Sequence, residues 1–162
     1  MTIEGKVWKF GDNIDTDVII PARFLNVSDK KLLAASAFAD LRPDFSKGVH
    51  NGDILVGGSN FGCGSSREQA ASCLKGADLV VVARNFARIF LQNSINLGLK
   101  TVICPEIEAD EGDELEIIDG AIINKSSGRI FALIPLPKSR QAIIDAGGLI
   151  NYTRERLVKS NK

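Results

Sequence analysis

Histidine is almost missing from this chain: His50 is the only one in 162 residues. Any Ser-His-Asp or Cys-His relay would rest on that one side chain. Cysteine is nearly as scarce. Cys63, Cys73 and Cys104 are odd in number and form no C-x-x-C pair, which argues against a disulfide framework. A metal site inside the chain would have to gather these three and His50 from four separate segments, so plain buried thiols are expected at Cys73 and Cys104. Neither charge is in excess, with 20 Lys plus Arg against 20 Asp plus Glu, and this removes the electrostatic case for a nucleic-acid partner. No apolar run approaches the ~20 residues of a membrane span. Met1 to Phe10 lacks the charged and apolar regions of a secretory leader, so neither a membrane nor export is expected and the cytoplasm is the expected location.

What is present suits one domain over residues 1–162. Hydrophobic residues make up 44% of the chain and charged ones 25%, enough for a sizeable core under a solvated surface. Lys6 to Phe10 alternates as a short strand does, and Asp17 to Ile20 before Pro21 reads as a second. Asp29 to Leu41 behind Ser28 reads as a helix. Asp53 to Val56 is a strand running into glycines, and Arg67 to Lys75 a helix stopped by Gly76. Leu79 to Ala83 (LVVVA) has the continuous β-branched character of a strand buried on both faces. Asn85 can cap a helix that ends at Leu97 before Gly98. Lys100 to Cys104 is one more short strand. Beyond Pro105 the pattern changes. Glu114 to Ile118 and Ala121 to Asn124 flank Asp119-Gly120, a hairpin signal, and Arg129 to Ile134 continues it. Lys138 to Ala146 is a helix behind Pro137, and a charged tail begins near Thr153. Parallel β-α-β units beside antiparallel hairpins indicate an α/β fold with a mixed sheet.

The richest stretch is Gly57-Gly58-Ser59-Asn60-Phe61-Gly62-Cys63-Gly64-Ser65-Ser66-Arg67-Glu68. Its glycines permit positive φ and close approach of backbone to a ligand. It fits neither a Walker A loop nor a G-x-G-x-x-G fingerprint. A tight turn with Ser65 or Ser66 as an ordinary helix cap accounts for the glycines alone. Arg67 adds chemistry, because a guanidinium beside two hydroxyls and several amides is a carboxylate receptor. A serine among such donors is more easily deprotonated, as its oxyanion meets fixed partners, and it can then take a carbon-bound proton beside a carboxylate. The electrophile for the leaving group is not among these residues. Cys63, between two glycines, reads as a small space-filling residue. His50, before Asn51-Gly52, reads as a surface residue, and Arg88 as a partner for Glu68 or for another chain.

Gly62 to Glu68 (G-C-G-S-S-R-E), behind Gly58-Ser59-Asn60-Phe61, resembles the active-site loop of the swivelling domain of the aconitase superfamily. Gly11 to Asp17 with Ile19 to Arg23, Asn85 to Phe90 with Asn93, Asn96 and Gly98, and Asp145 to Leu149 resemble it in the same order. The likeness covers nearly the whole chain, and its length is similar to the separate small subunits of the isopropylmalate-isomerase branch. The resemblance implies a swivelling β/β/α three-layer domain. It also implies a large partner chain that carries a [4Fe–4S] cluster, with no cofactor in the present chain, and a small dicarboxylate substrate. Ser65 matches the serine that removes and returns the carbon-bound proton. Ser66 and Arg67 match the residues that hold a substrate carboxylate. Asp17, with Gly64, matches the active-site edge where an aspartate meets the partner. The implied reaction removes water from 2-isopropylmalate and returns it to give 3-isopropylmalate, in leucine biosynthesis. Phe24, Leu25, Asn26 and Val27 stand where such subunits select the variable arm of the substrate. Three apolar residues and no arginine favour an isopropyl group over a second carboxylate, with homoaconitate, citraconate/2-methylmalate and dimethylmalate as the other candidates. Two readings of another class stay open: a carboxylate-binding module without chemistry, and a serine hydrolase that depends on His50.

Overall fold

The structure is a computed structural model that describes residues 2–160. Seven strands form one mixed sheet in the order β4-β3-β2-β1-β5-β6-β7. The strands β1 (Ile3–Lys9), β2 (Ile54–Val56), β3 (Val80–Ala83) and β4 (Lys100–Ile103) run parallel. The strands β5 (Glu114–Ile118), β6 (Ala121–Asn124) and β7 (Arg129–Ala132) continue as an antiparallel meander. The first strand joins the two halves: Ile3 to Lys6 pair with β5, and Val7 to Lys9 pair with β2.

The β-branched strands are buried on both faces, and alternation assigns their side chains to two cores. Leu55, Val81 and Ala83 meet Ala70, Ala71 and Leu74 of helix α4 (Glu68–Gly76) and Phe90 of helix α5 (Arg88–Leu97). Ile54, Val56, Val80 and Val82 meet Leu115, Ile117, Ile122 and Phe131 of the meander. The sheet therefore curls over itself as a half-barrel, and the layers run β, β, α as expected. The Ile134 amide donates to the Ile103 carbonyl at 2.9 Å, tying the β4 edge to the segment that follows β7. Phe10, Phe38 and Phe45 fill the far end of the helical layer, with Phe10 and Phe38 stacked at 4.2 Å between centroids.

Several local expectations are corrected. Asp17 to Ile20 is not a strand. Residues Thr16–Ile19 form a helical turn, α1, because the Asp15 carboxylate accepts from the Asp17 amide and caps it. The helix expected over 29–41 is only α2 (Lys30–Ala34), followed by turns in which Phe38 takes a positive φ of 55°. A further turn, α3, spans Phe45–Gly48. Helix α5 starts at Arg88 rather than after Asn85, since the Asn85 side chain is taken by another amide. The last strand ends at Ala132, helix α6 spans Lys138–Asp145, and the charged tail is helical as α7 (Leu149–Ser160). No helix among the described residues is long and apolar enough to cross a membrane.

Candidate functional site

The three stretches that stand out in the sequence meet at the carboxyl ends of the parallel strands. Their backbones are laced together. Gly58 donates to Gly11 O at 3.0 Å, Asn13 to Ser59 O at 2.8 Å, Gly62 to Ile14 O at 2.8 Å and Thr16 to Cys63 O at 2.8 Å. From the other side Ala87 donates to Phe61 O at 2.9 Å, and the Asn60 amide donates to Asn85 Oδ1 at 2.6 Å. The glycine loop thus lies as an extra rung between residues 11–16 and 85–87. Phe61, Phe86 and Phe90 bolt it from beneath, with centroids 5.5–6.2 Å apart. Two glycines are required here. Gly62 has φ 84°, and a side chain there would overlap the Phe90 ring. Gly64 has φ 99°, and a Cβ would meet the Asp15 carboxylate at 2.5 Å.

This lacing presents Gly64, Ser65 and Ser66 at the surface. Helix α4 begins at Glu68, one residue later than expected, and Arg67 is its cap residue with no side-chain capping bond. Neither serine is therefore the helix cap. The Ser65 hydroxyl instead lies 3.3 Å from Thr16 Oγ1, and Thr16 donates to the Ser65 carbonyl at 3.1 Å. Thr16 is 1% exposed, so its hydroxyl is committed to Ser65. Arg67, with a side chain 26% exposed, is ion-paired through Nη1 to Asp17 Oδ1. The arrangement joins a hydroxyl backed by a second hydroxyl to a guanidinium that already grips a carboxylate. Among the described residues the amides of Ser65 and Ser66 meet no protein acceptor, and with the dipole of α4 they make this surface favourable to an anion.

The other expected residues fall around this centre or away from it. The chain leaves α1 through Pro21 into a 3₁₀ turn, Ala22–Phe24, so residues 24–27 continue the element that carries Thr16 and Asp17. Phe24, Leu25 and Val27 are half-buried against the helical core, while Asn26 is exposed. His50 stands at the amino end of β2 with its side chain 85% exposed and Nδ1 3.9 Å from Asp53. The serine loop follows the carboxyl end of that strand, so the hydrolase reading loses its base. Cys73 is fully buried, and burial pushes its thiol well above the usual range. Cys104 is buried in the other core, where its thiol donates to Ala132 O at 3.3 Å. Arg88 forms no ion pair with Glu68 among the described residues. Cavities of about 600 Å³ and about 470 Å³ lie elsewhere, the first at the β4 edge beside α6 and the second beside Lys9, Gly58 and Arg84. Neither is lined by Ser65, Ser66 or Arg67.

Nothing in the sequence pattern alone marks Thr16 as a site residue. The nearest signal is the Asp-Thr-Asp triplet, in which Asp15 suits a helix cap and leaves Thr16 at the first helical position.

Comparison with known proteins agrees with this picture. Residues 37–106 match the aconitase C-terminal domain family. A 3-isopropylmalate dehydratase small subunit from Methanosarcina mazei is 48% identical over 94% of this chain and 97% of its own. One from Aliarcobacter butzleri is 50% identical over 98% of each chain. The crystal structure of 3-isopropylmalate dehydratase from Methanocaldococcus jannaschii superposes with a TM-score of 0.94 at 40% identity, covering 99% of both chains.

Proposed function

The chain belongs to the family of 3-isopropylmalate dehydratase small subunits, and we propose that it contributes half of an active site that interconverts 2-isopropylmalate and 3-isopropylmalate in leucine biosynthesis. The observation that carries this reading is the exposed Ser65 hydroxyl beside Arg67, on a rim outside both cavities. Such a rim becomes a site only when a second surface covers it. That surface is assigned to a large partner chain bearing a [4Fe–4S] cluster. The cluster is assigned to the partner because three dispersed cysteines, two of them buried in different cores, do not suit cluster ligation. Bound to the partner, such a cluster would supply Lewis acidity for a substrate hydroxyl.

The residues of this chain do the rest. Ser65 takes the proton from the carbon beside a carboxylate and returns it after the alkene has been rehydrated. Arg67, Ser66 and the neighbouring amides hold that carboxylate. Asp17 pairs with Arg67 through a single Nη1–Oδ1 contact in the free chain, and this carboxylate partner supports the role given to Arg67. On assembly Asp17 turns to the partner. Phe24, Leu25 and Val27 place an apolar wall along the variable arm, with Asn26 at its exposed edge, and Gly64 leaves room for the Asp15 carboxylate. The whole chain, 1–162, acts as one swivelling domain in the cytoplasm.

The test is reconstitution. The purified chain alone is expected to be folded and inactive on 2-isopropylmalate. Mixed anaerobically with its cluster-bearing partner it should produce 3-isopropylmalate. Turnover by the isolated iron-free chain would overturn the half-site assignment.

A further inference from the structure

We infer that Thr16 is a positioning residue for proton abstraction, holding Ser65 as an alkoxide by donating its buried hydroxyl proton to Ser65 Oγ. The inference rests on the reading of Ser65 as the base. Its own support is geometric. Thr16 Oγ1 has two acceptors on one residue: the Ser65 carbonyl at 3.1 Å and the Ser65 hydroxyl at 3.3 Å. A threonine hydroxyl has one proton and two lone pairs, so it cannot donate to both at once. At 1% exposure Thr16 has little access to water. The site therefore has two hydrogen-bonding states, one for each protonation state of Ser65, and Thr16 passes between them by rotation about its Cβ–Oγ1 bond.

When Ser65 carries its proton, Ser65 Oγ–H donates to Thr16 Oγ1 and Thr16 donates to the Ser65 carbonyl. When that proton has gone to solvent, Thr16 turns and donates to the Ser65 alkoxide. The abstraction step then balances. The substrate C–H bond breaks, an O–H bond forms on Ser65 Oγ, and the electron pair stays with the substrate carbon to form the double bond as the hydroxyl leaves. Thr16 swings back to the carbonyl and neither gains nor loses a proton. A donor to the ionised form lowers the pKa of the group it serves. It is also fixed before the reaction begins, since the Thr16 amide is held on Cys63 O and its side chain is enclosed. The charged or titratable groups that the structure brings to the Ser65 segment are Asp15, the cap of α1, whose carboxylate lies over Gly64, Asp17 within α1, paired with Arg67, and Cys63, Arg67 and Glu68 on the segment itself. Asp15, over Gly64, opposes ionisation of Ser65, and Arg67 favours it. Thr16 is the neutral donor aimed at the oxygen itself.

The experiment compares Thr16→Val and Thr16→Ser with wild type in the complex reconstituted with the large subunit. Steady-state kinetics on 2-isopropylmalate are followed across pH. Thr16→Val, close in shape, is expected to lower kcat roughly ten- to hundred-fold with little change in KM. Because the alkoxide loses a donor, the rising acid limb of the kcat profile should move to higher pH by about one to two units. Thr16→Ser should restore both. Thermal midpoints and co-elution with the partner establish that each variant folds and assembles, and a Cys63→Ala background removes the one nearby thiol from the titration. A Thr16→Val complex with an unmoved limb, or a Thr16→Ser complex as slow as Thr16→Val, would overturn the assignment. Ser65→Ala run alongside separates the two readings. If it retains exchange of the substrate proton, the base is elsewhere; if it is dead while Thr16→Val matches wild type, only the role of Thr16 falls.

Discussion

The two halves of the sheet put similar material to different ends. In the parallel half, β2 and β3 are buried on both faces, and β1, β2 and β3 each lead from their carboxyl ends into helices. Those exits are where residues 11–17, 57–67 and 85–88 meet. In the antiparallel half, β5 to β7 turn back through tight connections at Asp119-Gly120 and residues 125–128, and their apolar faces close the half-barrel. None of the proposed site residues lies in it. The difference follows from connectivity. A parallel strand must be followed by a long crossover, so its loops are free to carry function, whereas a hairpin spends its connection on reversing the chain. One half holds shape, and the other carries the proposed site.

Four substitutions break or sharpen this contrast. Ser65→Ala, in the parallel half, is expected to lower kcat of the reconstituted complex by roughly 10²–10⁴-fold while assembly and KM change little. Solvent deuterium exchange into substrate reads the lost proton step directly. Phe131→Ala, in the antiparallel half, removes a ring that is 5% exposed within the barrel core. It is expected to cost about 3–5 kcal/mol of stability, seen by urea unfolding, yet to leave kcat within about two-fold in complexes that assemble. A large kcat loss there would mean that the halves are mechanically coupled. Asn26→Arg tests the exposed edge after the 3₁₀ turn. A charge-assisted contact is worth about 1.5–3 kcal/mol, so relative kcat/KM should shift at least about ten-fold toward substrates whose arm ends in a carboxylate. An unchanged ratio would remove residues 24–27 from the specificity pocket.

The smallest effect belongs to Asp113. The Asn124 side chain donates to it at 3.0 Å, and together with the bond from the Asp110 amide this holds its carboxyl below the ordinary value of 3.8. A depressed carboxyl stabilises the fold above its unfolded pKa, and that stabilisation is lost as pH falls through the folded value. Asp113→Asn should therefore lower the thermal midpoint at neutral pH, with the gap to wild type closing below about pH 4. A gap that is constant with pH would mean that packing, not charge, sets the contribution.

How legible the molecule was follows the same division. The buried strands, the Asp-Gly hairpin and the Gly98 helix stop are readable because each depends on a continuous β-branched run or on a glycine whose φ is positive in place. Asp17 to Ile20 misled because four residues are too few for periodicity to choose between strand and helical turn. The Asp15 cap decided it. Asn85 looked like a helix cap and instead receives the Asn60 amide, a partner 25 residues away.

Local chemistry in the sequence was enough for the mixed α/β class, the glycine loop, and the choice of Ser65 and Arg67 as the proposed site residues. Which groups those two face was decided only by tertiary structure. Thr16 reaches Ser65 across 49 residues and Asp17 reaches Arg67 across 50. Both contacts exist because the loop after β2 is laced to residues 11–16 by backbone bonds, whose register depends on the pairing of β1 with β2. Periodicity and capping are local. The alignment of two distant loops is set by the sheet that carries them.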